Sequence, residues 1–109
     1  MTKDARQYHC LRLYRNMQLY HNSTLIGLVT HACVNGFDMH ALIELTPQAE
    51  EYKYLFEAFA SPEELEKLDP PEQIYENWAI VNEEGERLEI GLPGIFRQDN
   101  ALHVMWRYY

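Results

Sequence analysis

Residues 25–45 read LIGLVTHACVNGFDMHALIEL, two apolar runs of about ten residues around Asn35-Gly36. Whether this stretch is a hairpin or contains a helix decides the fold. Asn-Gly suits a type I′ turn because both residues tolerate positive φ. A helix over residues 23–33 is the competing assignment. Gly27 and the β-branched Ile26, Val29, Thr30 and Val34 favour strand, since branching at Cβ restricts side chains against a helical turn. With Asn35-Gly36 at the centre, His31 and His40 lie equally far from the turn and face one another across the strands.

Working outward, the next segment changes period. Thr46-Pro47 is a helix start, a capping hydroxyl followed by a proline whose missing N–H is not needed there. Ala49, Tyr52, Leu55, Phe56 and Phe59 then recur at helical spacing. Ser61-Pro62-Glu63-Glu64 repeats the start signal, with Glu64 placed for a capping box, and Asp69-Pro70-Pro71 ends the segment. Beyond the prolines, Trp78 and Ile80 alternate with Ala79 and Val81, and Leu88 and Ile90 resume after Asn82-Glu83-Glu84-Gly85, a second hairpin. Pro93-Gly94 and Gln98-Asp99-Asn100 punctuate a short link. In the final strand Leu102, Val104, Trp106 and Tyr108 share one face, and His103, Met105, Arg107 and Tyr109 the other. Residues 8–14 and 17–20 fit short strands around Arg15-Asn16, with one imperfect helix as the alternative. The expectation is a single domain over residues 1–109, of the α+β class. It has an antiparallel sheet of about six strands built from hairpins, with one helical segment over about residues 47–68 inserted.

At 109 residues with four Phe, two Trp and eight Tyr, the chain can form a core without disulfide or metal. The two cysteines, Cys10 and Cys33, form no Cys-x-x-Cys pair and read as reduced thiols of a cytoplasmic protein. Residues 1–16 lack the apolar centre of a signal peptide, and no apolar run approaches a membrane span.

Charge is unevenly distributed. Residues 44–89 hold fourteen of the seventeen acidic side chains against Lys53, Lys67 and Arg87, and the whole chain carries −8. Such a field disfavours phosphate backbones, so direct nucleic-acid binding is not expected. It favours a basic protein. Glu63, Glu64, Glu66, Asp69, Glu72 and Glu76 lie close together, with Tyr75 and Trp78 at the end of the run and Glu83, Glu84 and Glu86 on the following turn. Carboxylates around aromatic anchors would speed encounter and hold a basic partner. The expected class is an immunity- or antitoxin-type inhibitor that occludes the cationic active site of a nuclease toxin.

Two alternatives stand beside it. A small hydrolase or phosphotransfer enzyme would use His31 and His40 as general base and acid, with Asp38 as the only orienting carboxylate nearby. A DNA-mimicking regulator would exploit the same acidic surface. No phosphate loop, nucleotide fingerprint or hydrolase elbow occurs, and His31-Ala32-Cys33 lacks the ligand set of a structural zinc site. No cofactor or metal is expected.

Overall fold

A computed structural model describes residues 16–56, 58 and 61–109. The expected strand over residues 8–14 lies outside them, as does Phe59. Among the described residues seven strands form one antiparallel sheet: β1 (Met17–His21), β2 (Thr24–Asn35), β3 (Asp38–Leu45), β4 (Trp78–Val81), β5 (Arg87–Ile90), β6 (Gly94–Gln98) and β7 (Ala101–Trp106). Their order is β5-β4-β1-β2-β3-β7-β6. Residues 17–20 and 24–33 are therefore strand, so the helical alternatives do not hold over them.

The α+β class holds, with one strand more than expected. The addition is β6, within the stretch read as a link. Its flanks are rich in turn residues, but Asp99 and Asn100 (φ 52° and 63°) are themselves the two-residue turn of a β6–β7 hairpin. Positive φ at both central positions is what lets a turn match the twist of its strands.

The decisive hairpin exists, but in another register. Asn35 pairs with Asp38, so the loop is Gly36-Phe37, with positive φ (68°) at Gly36 alone. Glycine at the first of two loop positions is the type II′ preference, not I′. Farther out, the register shifts between Thr30 and Cys33, and His31 takes φ 59°. This is a β-bulge, two residues against one, with the first in the left-handed region. Because the loop is Gly36-Phe37, Cys33 rather than His31 pairs with His40.

Alternation decides which face is buried. Met17, Leu19, Val29, Met39, Ala41, Ile43, Ile80, Val104 and Trp106 fill the inner side. Gln18, Leu28, Thr30, His40, Leu42, Glu44 and His103 stand on the outer side, exposed or half-buried. The sheet curls, because Ile90 at the end of β5 bridges to Tyr108 just beyond β7. Gly91 N–H donates to Arg107 O and Tyr109 N–H to Glu89 O at the same seam.

The helical segment covers one end of the core. It comprises a 3-10 turn, Pro47–Tyr52, then α1 (Lys53–Phe56) and α2 (Pro62–Leu68). It breaks before Pro62 because a proline excludes its predecessor from helical geometry, and Ser61 is extended at φ −131°. Ala49, Leu55 and Phe56 are buried, as their spacing implied. Thr46 has the conformation of a cap, yet its hydroxyl donates to Leu25 O and Ile26 O, fastening the segment to β2.

Candidate functional site

The acidic segment follows from how α2 is built. Ser61 Oγ accepts Glu64 N–H at 3.5 Å, Glu63 and Glu64 occupy the first turn, and Asp69 ends the helix in the left-handed conformation. None of its residues is buried. Glu63, Glu64, Glu66, Asp69, Glu72 and Glu76 are all exposed, and Lys67 answers only Glu64, at 3.6 Å. Tyr75 and Leu68 add exposed apolar surface (41% and 44%), and Tyr54 of α1 adds more at 56%.

Trp78 does not belong to this surface. It is 1% exposed, its indole N–H donates to Ile74 O at 2.7 Å, and its ring lies 4.6 Å from that of His21. As the first residue of β4 it faces inward by strand alternation, so Tyr75 is the aromatic left to meet a partner. Glu83, Glu84 and Glu86 are exposed on the β4–β5 turn. Asn82 shapes that turn: its Oδ1 accepts from Glu84 N–H and Glu86 N–H, and its Nδ2 donates to Glu86 Oε1. Trp78 and this turn lie at opposite ends of β4, about 13 Å apart for a four-residue strand. The carboxylates thus form two groups, one at each end of that strand.

His21 holds the first group in place, a role the sequence reading missed. Its Nε2 donates to Gln73 O (3.1 Å), which leaves Nδ1 to accept the Tyr52 hydroxyl (2.7 Å). Asn22 N–H adds a bond to Asn77 O. The available signal was the alternation Met17, Leu19, His21, which sends the third of these inward with the other two.

The expected His31–His40 pair does not form. The bulge leaves His31 exposed, and Asp38 pairs with Arg107 Nε at 2.9 Å instead of orienting His40. His40 Nε2 lies 3.0 Å from His103 Nδ1 on β7. His103 Nε2 donates to Gln98 O at 3.1 Å, and Phe96 stacks on the His103 ring at 5.4 Å and 10°. Partial burial, with the neighbouring His103 second, pushes the His40 pKa below its ordinary 6.5. The two rings can share a proton.

Cys33 is disulfide-bonded, and no cysteine among the described residues is free. The expectation of reduced thiols is therefore corrected. The chain's other cysteine, Cys10, lies outside those residues. No helix among the described residues is long and apolar enough to cross a membrane. No protein-family model, curated protein or solved structure matches the chain.

Proposed function

We propose that this chain is a binding protein that captures a basic protein through the acidic segment of residues 63–76. The foremost case is an immunity- or antitoxin-type inhibitor that occludes the cationic cleft of a nuclease. The observation that carries the reading is α2, a helix that buries none of its residues and presents Glu63, Glu64 and Glu66 to solvent. A helix that adds nothing to the core is tolerated as surface; one with exposed carboxylates and, in the same segment, exposed Leu68 and Tyr75 is suited to docking. Carboxylates inserted where substrate phosphates lie would block the nuclease without chemistry. The disulfide at Cys33 supports an oxidising compartment over the cytoplasm for the folded form.

The test is capture from the native source at low and high salt, followed by a nuclease assay on the captured protein. Wild-type chain should bind a basic protein, release it as salt rises, and inhibit its nuclease activity. A variant with Glu63, Glu64, Glu83 and Glu84 reversed to Lys should associate far more slowly with an unchanged circular dichroism spectrum. Equal inhibition by wild type and the folded variant would refute the proposal. Competition by duplex DNA for the captured target would point to DNA mimicry instead.

A further inference from the structure

We propose that His40 and His103 form a two-imidazole site for Cu2+ on the outer face of the β3–β7 pair. The argument begins with register. Leu42 pairs with His103 and His40 with Met105, so the two histidines are diagonal neighbours on adjacent antiparallel strands. Both stand on the half-buried outer side. Their facing nitrogens are 3.0 Å apart.

Two adjacent imidazoles suit a first-row ion, and Cu2+ heads the affinity order among these. Imidazole nitrogens bind first-row metals at about 2.0–2.1 Å. Two such bonds at a right angle place the nitrogens about 2.9 Å apart, whereas a tetrahedral angle spreads them to about 3.4 Å. The observed 3.0 Å is the hydrogen bond between the rings, close enough that a small adjustment brings both nitrogens onto adjacent positions of one ion. Tetragonal geometry with nitrogen ligands marks Cu2+ or Ni2+, and Cu2+ binds the more tightly of the two.

The surroundings of His103 are those of a prepared ligand. Its Nε2–H donates to the Gln98 carbonyl, so the lone pair rests on Nδ1, the atom that faces His40. A backbone carbonyl behind a ligating imidazole fixes both tautomer and ring orientation. Phe96 covers one face of His103 and lies 5.7 Å from the His40 ring, limiting how far either can swing. Binding exchanges the hydrogen bond between the rings for two metal bonds, and the His40 proton passes from Nε2 to Nδ1. Each lone pair must turn about 45° from the line joining the nitrogens, a rotation of terminal torsions with broad minima. Among the described residues no group of three or more His, Cys, Asp or Glu side chains is placed to hold a metal, so the site proposed here has these two imidazoles as its protein ligands.

The experiment is titration of the full chain with Cu2+ in a non-coordinating buffer near neutral pH, read by calorimetry and electron paramagnetic resonance. Expected is one saturable tetragonal site with two coupled nitrogens. His40→Ala and His103→Ala should each weaken it by about tenfold or more, while His31→Ala leaves it unchanged. In the wild type, substoichiometric Cu2+ should broaden the ring-proton resonances of His40 and His103 before any others, a readout that depends on no variant. Absence of a saturable site, or broadening centred on other residues, overturns the proposal. Undiminished affinity in both folded variants overturns it equally.

Discussion

Replacing His21 with Leu should destabilise the protein by about 2–3 kcal/mol, and the structure shows where that figure comes from. His21 is 5% exposed, and it is the one polar side chain buried among the described residues. Leu is close to it in volume, so little cavity opens and the cost falls on hydrogen bonds. Two partners, the Tyr52 hydroxyl and the Gln73 carbonyl, lose their bonds, at roughly 1–1.5 kcal/mol each. With an unfolding entropy of about 2.1 cal/mol/K per residue, that loss lowers Tm by roughly 10 °C for a chain of 109 residues. The assay is thermal and urea unfolding of wild type, His21→Leu, Tyr52→Phe and the double variant. Because Tyr52→Phe removes the orphaned hydroxyl, it should cost distinctly less in the His21→Leu background than alone. The coupling should be about 1 kcal/mol. A His21→Leu loss below about 0.5 kcal/mol, or strict additivity, would refute the claim that this histidine fastens the acidic segment to the sheet.

Three further outcomes follow from single sites. Gly27→Ala places a methyl carbon 2.6 Å from Ile43 Cγ1 and 3.0 Å from Glu44 O; the side chain can yield but the paired backbone cannot. Urea unfolding should show a loss of about 1–3 kcal/mol. Ser61→Ala removes a capping bond that is already long at 3.5 Å, so its cost should sit near 0.5 kcal/mol. Amide exchange should confine the change to α2. His40 has a pKa lowered on folding, so the unfolded chain takes up its proton first as pH falls. Its contribution is therefore constant above the ordinary value of 6.5, turns destabilising as pH falls below 6.5, and levels off once pH has passed the lower folded value. His40→Gln should flatten the stability profile over that window.

The parts of the fold legible in the sequence were those decided by neighbours a few residues apart. The β4–β5 hairpin, the Ser61 start of α2 and the stop at Asp69 are set by turn and cap chemistry, and each stands as read. The β2–β3 hairpin was legible as an element but not in register. A one-residue bulge at His31 is invisible to alternation when the run contains Gly27, Ala32 and Cys33, which fit either face. β6 hid because Pro93-Gly94 and Asp99-Asn100 read as punctuation, whereas its single buried residue, Ile95, leaves no pattern to count. The His40–His103 contact joins residues sixty-three apart and required knowing that β7 lies beside β3. Of the acidic surface, the carboxylates were legible because Glu on a short surface helix has nowhere else to go. Trp78 was misjudged because an aromatic beside a charge run looks the same whether it anchors a partner or a strand.

The two proposed surfaces should work independently, and that too can be checked. The acidic side chains lie on α2, the loop that follows it and the β4–β5 turn, whereas His40 and His103 lie on the outer face of β3 and β7. Exposed charges separated by more than about 8–10 Å are largely screened at physiological salt. Reversing Glu63, Glu64, Glu83 and Glu84 to Lys should change Cu2+ affinity by less than about threefold, roughly half a decade at 1.4 kcal/mol per decade. A larger drop would mean that carboxylates of the acidic segment hold the ion themselves. In that case the tetragonal spectrum would lose its nitrogen coupling in the wild type, and the case for His40 and His103 would fall while the partner-binding reading stayed intact.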